Sequence, residues 1–264
     1  MERKHRAPVA AVTITLSTAL ALAGTISGCT SADNTPKWRA EVVATRPHDP
    51  GAFTEGLEAD GSVLYESTGL NGRSSVRSTD LNTGAEIARA DLPATLFGEG
   101  ITRAGDLLWQ LTWKDGIAIA RNPATLAEIR TAHIDGEGWG LCTRGDRVIM
   151  SNGGATLTFR DPQTFAVTGT VTLTSHKNVE LNELDCAPDG SVYANTWATD
   201  TILRIDPDTG EVLAAIDASG LLPSSARTPD TDVLNGIAHL PGTDHFLLTG
   251  KKWPTSYEVR FVPA

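Results

Sequence analysis

The chain has 264 residues, with 32 acidic against 22 basic side chains and a formal net charge of −10. That balance argues against nucleic acid or an anionic membrane surface as partner, since both are bound through clustered Lys and Arg. The six histidines are scattered and no Cys/His set has zinc spacing, which argues against a zinc enzyme.

Arg3, Lys4 and Arg6 open the chain and are followed by a mostly apolar run of small residues over 7–26. Ile26-Ser27-Gly28-Cys29 resembles a bacterial lipobox, in which cleavage precedes a cysteine that carries lipid; an ordinary secretory signal with an incidental cysteine is the plainer alternative. The run is too interrupted for a transmembrane anchor. The expectation is a lipoprotein signal over 1–28, lipid on Cys29, a polar tether over 29–37 and a folded domain over 38–264. The protein is then exported, held to the outer face of a bacterial cell membrane by lipid alone. Loss of the leader, which carries a net +2, takes the mature chain to near −12.

Residues 38–45 read as an isolated strand. Alternating strands follow at 62–67, 75–79 and 86–90, punctuated by the turns Asp60-Gly61 and Asp80-Leu81-Asn82-Thr83-Gly84. The same plan recurs later in cleaner form. Asp189-Gly190 turns into a strand at 191–195, a second strand occupies 201–205, and Asp206-Pro207-Asp208-Thr209-Gly210 turns into 211–216. Asn122-Pro123-Ala124-Thr125 and Asp161-Pro162-Gln163-Thr164 hold the corresponding place in between. In the fullest form of this turn Pro fixes φ and Gly permits φ above zero. A short helix is expected only at 223–227. The last pass, 236–262, has room for about three strands, so 38–45 is expected to complete it and leave no open sheet edge.

Five segments mark the phase of a repeat: Glu55-Gly56-Leu57, Glu99-Gly100-Ile101, Trp139-Gly140-Leu141, Glu183-Leu184-Asp185 and Asn235-Gly236-Ile237. Their central residues are separated by 44, 40, 44 and 52 positions, a period that points to propeller blades. The expected fold is all-β, a five-bladed β-propeller closed by an N-terminal strand, which needs no partner and is expected as a monomer. Equal phase then brings Glu55, Glu99, Trp139, Glu183 and Asn235 into one ring about the axis, and Glu66, Trp113, Asn152, Trp197 and Lys251 into a second. Packing alone accounts for the glycines and for one Trp. It accounts poorly for Glu55, Glu99 and Glu183, because buried carboxylates are costly unless paired, ligated or protonated. Clustered acids of this kind suggest a bound cation or a carboxyl tuned for proton transfer. Cys142 and Cys186 both lie two residues past a phase marker, and either a disulfide or two buried thiols fits that placing.

Nine ordered motifs resemble the plant and bacterial type of glutamine cyclotransferase, a propeller family unrelated to the zinc-dependent animal enzyme. They are His48-Asp49-Pro50-Gly51-Ala52-Phe53-Thr54-Glu55-Gly56-Leu57, Tyr65-Glu66-Ser67-Thr68-Gly69-Leu70, Phe97-Gly98-Glu99-Gly100-Ile101-Thr102, Gln110-Leu111-Thr112-Trp113-Lys114 and Glu137-Gly138-Trp139-Gly140-Leu141. The rest are Leu181-Asn182-Glu183-Leu184, Asn195-Thr196-Trp197-Ala198-Thr199-Asp200, Asp232-Val233-Leu234-Asn235-Gly236-Ile237-Ala238 and Thr249-Gly250-Lys251-Lys252-Trp253-Pro254. Regions 118–131 and 217–229 carry no such match.

The resemblance implies cyclisation of an N-terminal glutamine of a peptide or protein to pyroglutamate, with release of ammonia. It assigns proton transfer to Glu99, with Lys251 donating to substrate or holding the charge state of Glu99. It assigns a cage to Phe53, Phe97, Trp113, Trp139 and Trp197, and a hydrogen bond to the glutaminyl side chain to Asn182. No cofactor is implied, although the channel acids leave room for a structural Ca2+. One departure stands out: the family pattern has Gln where this chain has Glu55. A carboxylate there would couple to Glu99 and shift the pH profile. Two other readings remain. One is a calcium-dependent lactonase-type hydrolase with Glu55, Glu99, Glu183 and Asn235 as ligands. The other is a non-catalytic propeller binding peptides or envelope polymers, against which Glu99 and Lys251 speak.

Overall fold

Short period-two runs closed by Asp, Asn, Pro and Gly leave the backbone few places to form a helix. The computed structural model describes residues 34–264 and contains β-strands throughout, with a single 3-10 turn at Ser224–Ala226. That turn sits where a short helix is expected, but Ala226 N–H donates to Pro223 O and Arg227 N–H to Ser224 O, and the backbone is extended again at Arg227. The expected leader 1–28 and Cys29 lie outside the described residues, and the expected tether ends where the first strand, β1 (Lys37–Pro47), begins.

Three four-stranded antiparallel sheets follow in chain order. They are β2 (Thr54–Asp60), β3 (Val63–Thr68), β4 (Ser75–Asp80) and β5 (Glu86–Asp91); β6 (Gly98–Ala104), β7 (Leu107–Thr112), β8 (Ile117–Arg121) and β9 (Glu128–His133); and β10 (Leu141–Arg144), β11 (Arg147–Met150), β12 (Thr156–Arg160) and β13 (Val167–Thr172). The remaining strands are β14 (Leu181–Cys186), β15 (Val192–Thr196), β16 (Thr201–Ile205), β17 (Val212–Asp217), β18 (Leu234–His239), β19 (His245–Gly250) and β20 (Thr255–Pro263). They join β1 in one eight-stranded sheet of order β14-β15-β16-β17-β1-β20-β19-β18. Within it β1 runs antiparallel to β20 from Trp38↔Pro263 to Pro47↔Thr255, and briefly parallel to β17 at Lys37↔Ala215.

The recurring Asp/Asn-x-x-Thr element earns its place by hydrogen bonding. Asp80, Asn122 and Asp161 each accept the N–H groups two and three residues on, and Asp206 accepts that of Asp208. Each side chain mimics a backbone turn between the third and fourth strands of its unit. Burial falls outward along the first three units. Every residue of β7 is buried, whereas β9 is exposed but for one half-buried residue. The cores lie between neighbouring units: Trp109 and Phe165 meet at 4.4 Å, with the Trp109 indole donating to Pro162 O at 2.8 Å.

The strands leading each unit touch in a closed cycle, β2 to β6, β6 to β10, β10 to β14, β14 to β18 and β18 to β2. Backbone meets backbone there. A Cβ on Gly56 would lie 2.6 Å from Ile101 N, and one on Gly100 would lie 2.5 Å from Trp139 O, so only glycine allows the approach. Cys142 of β10 and Cys186 of β14 are joined by a disulfide across one such contact, with Cα atoms 5.3 Å apart.

Candidate active site

Ladder register, rather than residue count, fixes which side chains share a level. Leu57 pairs with Glu66, Ile101 with Gln110, Leu141 with Met150, Leu184 with Ala194 and Ile237 with Leu248. Two positions before each first member stand Glu55, Glu99, Trp139, Asn182 and Asn235. Three positions after each second member stand Gly69, Trp113, Gly153, Trp197 and Lys251. The ring expected through Glu183 therefore passes through Asn182, and that expected through Glu66 and Asn152 passes through Gly69 and Gly153. These two glycines make room for the aromatic rings: a Cβ on Gly69 would lie 2.3 Å from Phe97 Cε1, and one on Gly153 2.6 Å from Trp139 Cζ2. Register shifts occur within the segments holding Glu55, Glu99, Asn182 and Asn235, and such bulges re-aim side chains at the rim of a sheet.

The result is a cavity of about 500 Å³ lined by Phe53, Glu55, Phe97, Glu99, Trp113, Trp139, Asn182, Trp197 and Lys251. All nine side chains expected at the site converge here. Phe53 meets Phe97 edge-on at 6.2 Å, Phe97 meets Trp113 at 5.5 Å, and Trp139 meets Trp197 at 6.3 Å. Trp197 stays 46% exposed at the mouth, whereas Glu55 and Glu99 are buried.

Lys251 donates to Glu55 Oε1 at 2.8 Å and lies 2.7 Å from Oε2, while its ammonium sits 4.8 Å from the Phe53 ring centre. Asn235 Nδ2 donates to the same carboxylate at 3.2 Å. Lys251 itself is held just past the end of β19, its N–H donating to Val233 O at 2.9 Å. Next to it Trp253 is fully buried, with its indole on Asp232 O at 2.9 Å. Burial pushes the Glu55 carboxyl up to about 7 against the lowering pull of Lys251. Burial, and then the Glu55 charge, push Glu99 well above the carboxylate range. The pair thus rests with a proton on Glu99 and a charge on Glu55 neutralised by Lys251. A hydrogen bond between the two carboxyls lowers Glu55 and raises Glu99, while Glu99 Oε2 is buried without a hydrogen-bond partner and stays free for substrate.

The other acids are spoken for. Glu183, at the phase of Gly56, reaches across the axis to accept Leu57 N–H at 3.1 Å and Ile237 N–H at 2.9 Å. Burial pushes its carboxyl well up against the lowering pull of these two bonds, which make it a structural acceptor. Glu66 lines a different cavity of about 470 Å³, bonded to His48 at 2.9 Å and to Arg77 Nε at 2.7 Å. Burial raises the Glu66 carboxyl, but His48 and Arg77 overcome it and hold it at about 2. Asn152 is exposed. Glu55, Glu99, Glu183 and Asn235 do not form the ligand set expected of a calcium hydrolase, and no group of three or more His, Cys, Asp or Glu among the described residues is arranged to hold a metal ion.

Glu137, Glu180 and Val233 also line the cavity, joined by Lys114 and Asp232. They were not expected, yet the same register carries a signal. Phe53, Phe97, Glu137, Glu180 and Val233 all stand four positions before the reference residues, forming an outer level above the acids.

A family model described as glutamine cyclotransferase matches residues 13–261. A glutaminyl-peptide cyclotransferase of Arabidopsis thaliana is 40% identical over 232 residues, spanning 85% of this chain and 72% of its own. The crystal structure of Myxococcus xanthus glutaminyl cyclase superposes with a TM-score of 0.79 at 36% identity, covering 87% of this chain and 99% of that one. With a match reaching over residues 13–261 and a relative 40% identical over most of its length, the chain belongs to the glutamine cyclotransferase family.

Proposed function

We propose that the protein is a glutaminyl-peptide cyclotransferase, converting the N-terminal glutamine of a peptide to pyroglutamate in the cavity of Glu99. The observation that carries the reading is a buried Glu99, its carboxyl pushed up by burial and the Glu55 charge, beside a Glu55 paired with Lys251 in a cavity lined by five aromatic rings.

The neutral α-amine attacks the side-chain amide carbon, and a C–N bond closes the five-membered ring. The attacking nitrogen gives its proton to the Glu55 carboxylate. Glu99 gives its proton to the amide nitrogen, the C–N bond to that nitrogen breaks, and ammonia leaves. A proton passing from Glu55 to Glu99 restores the pair, so no net proton is consumed. Two carboxyls with separated proton affinities divide a task that the family pattern, with Gln in place of Glu55, leaves to Glu99 alone. Phe53, Phe97, Trp113, Trp139 and Trp197 hold the glutaminyl chain folded against its own amine, and Asn182 bonds its amide. No cofactor enters these steps.

The closed cycle of leading strands supports a five-bladed propeller, with β1 completing the last blade against β20. The basic start, the apolar run and Cys29 support an exported, lipid-anchored protein, and a closed fold supports a monomer. A coupled assay of ammonia release from Gln-initiated dipeptides tests the activity. Equimolar ammonia and pyroglutamyl product are expected, with none from an N-acetylated Gln peptide. Turnover of the blocked peptide, or none of the free one, overturns the reading.

A further inference from the structure

Two indole N–H groups of the cavity end on one oxygen atom. Trp113 Nε1 donates to Glu137 Oε2 at 2.8 Å, and Trp139 Nε1 donates to the same atom at 3.0 Å. The rings stand in different units, Trp113 just after β7 and Trp139 just before β10. They also end separate aromatic runs, Phe53–Phe97–Trp113 and Trp139–Trp197. Glu137 joins the two runs. Its other oxygen lies 3.4 Å from Lys114 Nζ, which itself sits 3.8 Å from the Trp113 ring centre. Gly138 N–H, one residue on, donates to Trp113 O at 2.9 Å and locks the segment against that wall.

We propose that Glu137 is a positioning residue for cyclisation: one carboxylate fixes the angle between the Trp113 and Trp139 rings and so shapes the space in which the glutaminyl chain folds back on its amine. The inference rests on the activity proposed above. A half-buried indole is free to turn about two torsions unless something holds its N–H. A carboxylate accepting both is charge-assisted and stronger than a neutral acceptor. Burial raises the Glu137 carboxyl, but the two indole bonds and Lys114 outweigh it and keep it ionised. Ring closure is sensitive to such shaping, since a misplacement of about 1 Å costs roughly a hundredfold in rate.

Glu137→Ala and Glu137→Gln separate bracing from mere stability. The Ala variant is expected to lose roughly ten- to hundredfold in kcat/KM on a Gln-initiated dipeptide, with KM raised and the near-UV tryptophan circular dichroism altered. The Gln variant keeps an amide oxygen able to accept both N–H groups, and is expected within about threefold of wild type. A structural role alone would lower the active fraction and leave KM unchanged. Wild-type kcat/KM in the Ala variant, an equal loss in both variants, or a loss with unchanged KM each overturns the proposal. Active wild type with an unaffected Ala variant sinks this inference alone, whereas inactive wild type sinks the enzymatic reading.

Discussion

Replacing Glu55 by Gln removes the acid that pairs with Lys251 and couples to Glu99, and its consequences can be worked from the site. The Glu55 carboxyl moves from an ordinary 4.5 to about 7 on folding, because burial outweighs the attraction of Lys251. A folded-state value raised above the unfolded one means that this group costs no stability below pH 4.5. It costs progressively more as pH rises to 7, reaching about 3 kcal/mol and then levelling off. For a domain of this size that is roughly 6–12 °C in Tm. The Gln variant carries no such loss. Relative to wild type it gains by that amount between pH 4.5 and 8, whatever its offset from the altered Lys251 contact. Glu99 reinforces the sign: without the Glu55 charge, and with Lys251 still near, its carboxyl falls toward the ordinary range and also costs less at high pH. Activity follows the same logic. Wild-type kcat should rise through about pH 7 as Glu55 ionises, and fall again when Glu99 loses its proton. In the Gln variant Glu99 must first take the amine proton as a carboxylate, so turnover survives with an acid limb set by Glu99 ionisation and without the alkaline limb of the wild type. Scanning calorimetry and kcat against pH on both proteins provide the test. Superimposable pH–Tm and pH–kcat curves would refute the coupled pair.

Three further outcomes follow from other parts of the fold. Removing the Cys142–Cys186 bridge by double Ala substitution should lower stability by about 4 kcal/mol, the entropy of closing a 44-residue loop, and calorimetry should show roughly 8–16 °C lost from Tm. Gly69→Ala should drive its Cβ into Phe97, costing about 1–3 kcal/mol in strain and lowering kcat/KM as the cage ring is displaced, measurable by thermal melts beside kinetics. A chelator should leave ammonia release unchanged; activity lost to chelation and restored by Ca2+ would favour the hydrolase-type reading.

The sequence carried the strand order, the turn chemistry and the identity of the nine cavity residues, because strands of period two and Asp/Asn turns are written locally and the motifs surround each site residue. What escaped was phase. Glu183-Leu184 has no Gly to mark its register, so Glu183 was aligned with Glu55 although its neighbour Asn182 shares that level. Glu66 and Asn152 were aligned with Trp113 for want of a ladder, and the residues at that level are glycines whose value lies in what they leave empty. Glu137 lies within a motif, but its role depends on two indoles from separate units that only the fold brings together. Helix was expected at 223–227 from composition alone, and a single turn formed there because no apolar face extends it.

The direct test is Glu99→Gln on an otherwise intact protein, assayed for ammonia release from a Gln-initiated dipeptide with Tm followed in parallel. An amide fits the same buried space and cannot deliver the proton that the departing nitrogen requires. The expected result is a loss of roughly a hundredfold or more in kcat with the fold retained. A folded variant that releases ammonia at the wild-type rate would contradict the account.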